Sequence, residues 1–133
     1  MHISALVPTS RVVLEGGVVN ATGVPQTKVT LGGKLPMHVH APILLCVWTE
    51  AGNDPNPCIY VQVRDPNGQK RGDVELVWKW DDVEGHPCKW RVFDLMMPFL
   101  AFESGVYTFG VYNHPDDAET DHWFPLPILF DEQ

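Results

Sequence analysis

The residues best suited to chemistry are two histidines, His38 and His40, which are separated by one residue. Side chains two positions apart on a β-strand point to the same side, so two imidazoles in this pattern can share one metal ion. Two more histidines, His114 and His122, lie in an acid-rich segment over 113–122 whose oxygens suit Ca²⁺. A site that joins all four histidines requires the two segments to converge. An exposed histidine pair and a solvated hairpin tip are the simpler interpretation.

The first histidine pair carries a partial resemblance to a metal-binding family. Gly32 followed by His38 and His40 resembles the opening of the first cupin motif, which implies a jelly-roll metal site. The cupin pattern then has a glutamate four or five residues after the second histidine, where this chain has Leu44 and Leu45. We therefore expect no resident metal or other cofactor, and a metal-binding jelly-roll protein or enzyme is the alternative hypothesis.

Tryptophan is the second kind of candidate, because five tryptophans exceed what a small core usually needs. Trp78 and Trp80 share one face of a predicted strand, so they are either both in the core or both in one exposed patch. Exposed rings anchor protein partners and stack on sugars. The predicted partner-binding residues are Trp78, Trp80 and Trp123.

Catalytic nucleophiles are not indicated by the sequence. Ser4, Ser10 and Ser104 have neither a neighbouring base nor a Gly-x-Ser-x-Gly elbow. The sequence has two glycine pairs, Gly16-Gly17 and Gly32-Gly33, and both lack the other residues of a phosphate-binding loop. We predict no catalytic residue and expect that the protein is not an enzyme.

Composition excludes several classes of partner. The chain has 9 basic and 17 acidic residues, a net charge of −8, whereas nucleic-acid binding depends on clustered Lys and Arg. No window approaches the length of an apolar membrane helix, and the N-terminal residues lack the pattern of a signal peptide. Three cysteines without a Cys-x-x-Cys pair do not suggest a disulfide framework, although a Cys58–Cys88 bridge is left open. The sequence predicts a cytoplasmic protein.

The sequence predicts that the candidate residues are positioned by β-strands. In the run over 105–112, Tyr107, Phe109 and Val111 alternate with smaller or polar residues, which predicts one buried face. The run over 59–64 also alternates, with its apolar residues in the core and Tyr60, Gln62 and Arg64 on a solvated face. Turn residues separate such runs at regular spacing, and no apolar period of 3.6 residues occurs. We predict a single all-β domain over 1–133: an antiparallel β-sandwich, immunoglobulin-like or jelly-roll-like, with about eight strands and little or no helix.

Two segments depart from simple alternation. Residues 96–102 are apolar and irregular, so we expect them to pack across one end of the core. Prolines such as Pro42, Pro125 and Pro127 predict edge strands, because proline cannot donate to a ladder. Edge strands and the apolar run over 124–130 make a homodimer an open alternative to a monomer.

The end of the chain carries a second resemblance. Phe93-Asp94-Leu95, Pro98-Phe99, the run Glu103 to Phe109 and Pro125 to Ile128 together resemble a family of small uncharacterised bacterial β-sandwich proteins. The opening strand and the turn at Gly16-Gly17 are similar as well. The resemblance implies a compact β-sandwich with an unassigned role, and it carries no catalytic residue over to this chain.

The leading functional hypothesis is a non-enzymatic β-sandwich module that binds a protein partner through a sheet edge or an aromatic face. Such a module suits a host accessory protein or a phage factor. The cupin-like alternative depends on His38 and His40. A carbohydrate-binding module is the third hypothesis.

Overall fold

The computed structural model describes residues 1–16, 18–52, 56–80 and 84–131, and only the backbone of Leu14. Gly17 and parts of the turns predicted at 51–57 and 81–87 lie outside these residues. Within the described ranges the chain forms strands, turns and bends, and no helix is long and apolar enough to cross a membrane. The strands are β1 (His2–Pro8), β2 (Arg11–Glu15), β3 (Val18–Thr22), β4 (Val29–Gly32), β5 (Met37–Glu50), β6 (Cys58–Arg64), β7 (Lys70–Val77), β8 (Cys88–Ala101), β9 (Gly105–Tyr112) and β10 (Trp123–Asp131).

Two sheets make up most of the fold. One has three strands in the order β1-β5-β8, and the other has five in the order β4-β10-β9-β6-β7. Strands β2 and β3 form a separate hairpin. Neighbouring strands are antiparallel except for β4 and β10, which pair in parallel. The all-β prediction is confirmed, with ten strands in the described residues instead of about eight.

The core lies between the two larger sheets, because each contributes the apolar half of its alternating residues. Phe99 of β8 connects the layers, since its ring lies 5.3 Å from the ring of Tyr107 and 5.5 Å from that of Phe109, both on β9. Tyr107 also donates its hydroxyl hydrogen to the Glu103 carbonyl at 2.8 Å, which satisfies the polar end of a buried ring. The fully buried side chains include Ile43, Leu45, Val47, Ile59, Val61, Val63, Tyr107, Phe109, Leu126 and Ile128.

The segment over 96–102 was predicted to be irregular, and that prediction is wrong. Residues 96–101 belong to β8, which pairs with β5 without interruption from Glu50↔Cys88 to Met37↔Ala101. Met97, Phe99 and Ala101 alternate into the core. Pro98 is tolerated because β8 is an edge strand and has β5 on one side only.

Pro42, Pro125 and Pro127 occupy positions where the strand has no ladder partner on one side. Strand β4 pairs with β10 only from Ile128 to Asp131, so Pro125 and Pro127 lie on a length of β10 that has β9 alone as neighbour. Pro42 lies where β1 ends, since β1 pairs with β5 only from Ile43 onward. The prolines therefore mark local edges within strands that are interior elsewhere. In the apolar run over 124–130, Phe124, Leu126 and Ile128 are buried in the core, whereas Leu129 is exposed.

Gly72 allows the edges of the two sheets to meet. A Cβ at this position of β7 would lie 2.5 Å from the Pro98 carbonyl oxygen and 3.0 Å from the Phe99 Cβ. We expect Gly72→Ala to destabilise the fold by about 1–3 kcal/mol, because β7 must move away from β8. Urea unfolding measures the change. The matched control is Gly32→Ala, where an added Cβ meets nothing within 4 Å; equal unfolding midpoints of the two variants would contradict the close approach.

Candidate functional site

A long loop, residues 113–122, folds back across the outer face of the five-stranded sheet. Gln62 of β6 fixes it from below, since its side-chain amide donates to the Pro115 carbonyl at 2.9 Å and is only 1% exposed. This burial corrects the sequence prediction of a solvated face, because the loop covers Gln62. A buried amide without its partner would be costly, so the contact ties the position of the loop to the sheet.

Arg64 is the second attachment of the 113–122 loop. Its guanidinium donates to the carbonyl of Ala118 and, at 2.8 Å, to that of Asp117. The same group lies 4.6 Å above the ring centre of Tyr112, which contributes a cation–π contact. Arg64 therefore uses its donors on the loop backbone and its charge on a neighbouring ring.

Contacts within the loop complete its fold. Thr120 donates its hydroxyl hydrogen to the Val111 carbonyl, and the Val111 amide donates to the His122 carbonyl at 2.9 Å. Gly110 makes room for this packing, because a Cβ there would lie 2.9 Å from the Tyr112 ring and 3.0 Å from the Thr120 methyl. The loop is thus built onto the sheet from both ends.

Between the loop and the sheet lies an open cleft of about 480 Å³, here called the Trp123 cleft. Trp123 begins β10 and is 55% exposed, and its cross-strand neighbour is Gly110, which has no side chain to cover the ring. Val106 of β9 adds a second exposed apolar side chain. The residues that define the cleft include Arg64, Val106, Thr108, Glu119, Asp121 and Trp123.

Among the described residues that line the cleft, the exposed carboxylates outnumber the one cationic side chain, Arg64. Glu119 and Asp121 are exposed, and within the described ranges no cation lies at ion-pair distance from either carboxylate. Asp65 also lines the cleft, but it is 5% exposed and paired with Arg71 at 2.9 Å. Burial alone would raise the pKa of the Asp65 carboxyl, yet hydrogen bonds from Gln69, Arg71 and Asn67 outweigh it and hold that pKa below its usual range.

The three predicted partner-binding tryptophans are separated by the structure. Trp78 is 6% exposed and packs edge-on against Phe93 and Trp80, with ring centres 5.1 Å and 5.5 Å away. Trp80 is half-buried against the same core. Both residues lie beyond the end of β7 at Val77, so the strand is shorter than predicted, but both rings pack against the core. Trp123 is therefore the exposed ring of the three.

The four candidate metal ligands do not come together. His38 and His40 are exposed on the outward side of β5 in the three-stranded sheet, whereas His114 and His122 belong to the loop over the five-stranded sheet. In the part of the chain that the structure describes, no group of three His, Cys, Asp or Glu side chains is arranged to hold a metal ion. A site shared by the four histidines would need the two segments to meet, and they lie over different sheets.

The serines, cysteines and Tyr60 are side chains that could also do chemistry, and their contacts are those of structural residues. The Ser104 hydroxyl accepts a hydrogen bond from the Phe130 amide at 3.0 Å, and Ser4 donates to the Cys46 carbonyl. All three cysteines are free, so the bridge left open between Cys58 and Cys88 is absent. The hydrogen bond with Cys58 and, as a smaller cause, desolvation raise the pKa of Tyr60 to about 12. This phenol is therefore protonated near neutrality.

Aromatic stacking also occurs on the opposite side of the molecule. His2, Trp48 and Trp90 lie in one row across β1, β5 and β8, with ring centres 4.2 Å and 6.1 Å apart. Trp90 is 56% exposed. It therefore provides an exposed tryptophan outside the cleft, on the outward side of the other sheet.

Comparison of the chain with models of protein families, with curated proteins and with solved structures finds no significant match. The resemblance to small bacterial β-sandwich proteins accordingly stays a prediction.

Proposed function

We propose that this chain is a non-enzymatic β-sandwich module that binds a protein partner in the Trp123 cleft. The observation that supports it best is an exposed tryptophan beside a loop already fixed to the sheet by Gln62 and Arg64. Aromatic anchors contribute strongly to protein interfaces, and a preformed surface loses little conformational entropy on binding. A bacterial or phage accessory factor is the setting we propose.

The open shape of the cleft favours a macromolecule over a small substrate. Trp123 and Val106 are both exposed and both line the cleft, so a partner seated there can cover both apolar side chains. We place the module in the cytoplasm, which is supported by three free cysteines, one of them exposed.

Trp123→Ala tests the proposal. We expect about 30-fold weaker binding of the partner, which corresponds to the loss of a hot-spot side chain of about 2 kcal/mol. Unfolding stability should change little, because more than half of the ring is already in solvent. Immobilised protein, quantitative mass spectrometry of the retained proteins and titration of the retained partner measure binding, and urea unfolding measures stability.

The control for that variant is Trp90→Ala, which removes an equally exposed tryptophan from the other sheet. It should retain the partner at wild-type affinity. If Trp123→Ala binds as tightly as the wild type, the cleft is not the binding surface and the proposal fails.

Carbohydrate binding is the second candidate, and the exposed Trp123 ring beside Thr108, Glu119 and Asp121 favours it. Sugars stack on such rings and hydrogen-bond to neighbouring hydroxyls and carboxylates. Glycan-array binding that is lost in Trp123→Ala, without any retained protein, would favour this function over the first.

A further inference from the structure

We propose that the Trp123 cleft accepts a Lys- or Arg-bearing segment of the partner, and this inference rests on the protein-binding function proposed above. It concerns the chemistry of the occupant. Two independent properties of the cleft point to a cation: an exposed aromatic ring and two exposed carboxylates that have no ion-pair partner among the described residues.

Trp123 supplies the exposed aromatic ring of the cleft. Trp123 is exposed and faces the position of Gly110 across the strand pair, so its indole is accessible beside the sheet. Tryptophan is the ring that attracts ammonium and guanidinium groups most strongly. Within the cleft, Tyr112 already carries the guanidinium of Arg64 on its face, which leaves Trp123 as the ring open to a ligand cation.

Two exposed carboxylates supply the negative charge of the cleft. Glu119 and Asp121 line the cleft on the side of the loop, and among the residues with described positions neither has an ion-pair partner. Arg64 also lines the cleft, but its donors are used on the carbonyls of Asp117 and Ala118, and its single positive charge is outnumbered by the two carboxylates. A basic side chain placed over Trp123 therefore meets carboxylates at the loop.

The whole chain acts in the same direction. Its net charge of −8 attracts a basic segment at long range and disfavours polyanions. An acidic peptide lacks both short-range contacts. A neutral glycan can stack on the ring and hydrogen-bond to the carboxylates, but it leaves their two negative charges without a counter-charge.

The experiment uses the full chain and three probes: octalysine, octaglutamate and a neutral cello-oligosaccharide. Two-dimensional NMR resolves the tryptophan indole N–H signals, and Trp123→Phe assigns the one from the cleft. We expect octalysine to shift the Trp123 signal, with an affinity that falls at least tenfold between low ionic strength and about 0.5 M salt. Octaglutamate should leave that signal unchanged.

The double variant Glu119→Gln/Asp121→Asn should bind octalysine about five- to tenfold more weakly than the wild type. Its matched control is Asp116→Asn, a carboxylate of the same loop that does not line the cleft. Unchanged affinity of the double variant, an unmoved Trp123 signal with octalysine, or a shift with the glycan alone overturns the inference.

The two proposals can fail separately. If Trp123→Ala loses the retained partner while Glu119→Gln/Asp121→Asn keeps it at wild-type affinity, protein binding in the cleft stands and the basic segment is wrong. If Trp123→Ala keeps the partner, the proposed function itself is wrong, and the response to octalysine then reports only surface charge.

Discussion

Replacement of Arg64 by methionine is expected to detach the 113–122 loop and to destabilise the protein by about 2–4 kcal/mol. The variant removes the donors to the Asp117 and Ala118 carbonyls and the contact with Tyr112. Methionine retains an apolar stem, so the effect reports the guanidinium rather than packing volume. Because the loop forms one wall of the Trp123 cleft, partner binding should be lost together with the loop contacts.

Hydrogen exchange across the loop, together with urea unfolding, measures this effect. Arg91→Met is the matched control: its guanidinium lies 5.4 Å from the Phe93 ring on an exposed strand position outside the loop. We expect its exchange pattern at 113–122 to equal that of the wild type. Unchanged loop exchange in Arg64→Met would show that Gln62 and the backbone suffice to hold the loop.

The second large effect is expected for Asp65→Ala, which should destabilise the fold by about 2–4 kcal/mol. The buried carboxylate accepts hydrogen bonds from the amides of Asn67 and Gln69 and from the Arg71 guanidinium, each at 2.9 Å. These bonds close the turn between β6 and β7. Asp73→Asn, which breaks an exposed ion pair with Lys70, should cost less than about 1 kcal/mol.

Acid should weaken the same contacts. The pKa of Asp65 is lower in the folded protein than its ordinary value near 4, so its contribution is fully present above about pH 4 and disappears as pH falls through the lower folded value. Asp65→Asn keeps an acceptor for the two amides but removes the charge. Unfolding measured across pH 2–5 should show a shallower acid dependence for Asp65→Asn than for the wild type, and parallel curves would contradict the assignment.

The strands could be predicted because their information is local. Tyr107, Phe109 and Val111 alternate regularly, and alternation alone predicts which face is buried. The extent of β8 could not be predicted in this way, since Pro98 is acceptable only at an edge, and edges are set by the order of strands in the sheet.

The candidate site was less predictable than the fold. Trp123 could be selected from its residue type, but Trp78 is of the same type and is buried. Gln62 and Arg64 look like solvated strand residues in sequence, because the loop that covers them lies some fifty positions further along the chain. Their polar character at adjacent outward positions was the available signal, and it did not distinguish water from a folded-back loop.

The parallel pairing of β4 with β10 has a consequence for synthesis of the protein on the ribosome. Val29 finds its partner Ile128 about a hundred residues later, so the edge of the five-stranded sheet stays open while most of the chain is made. Contacts of such sequence separation are slow to form, and unpaired strand edges in partly folded chains aggregate. Completion of the sheet is therefore expected after translation of β10, and nascent chains that stop short of it should be clients of chaperones.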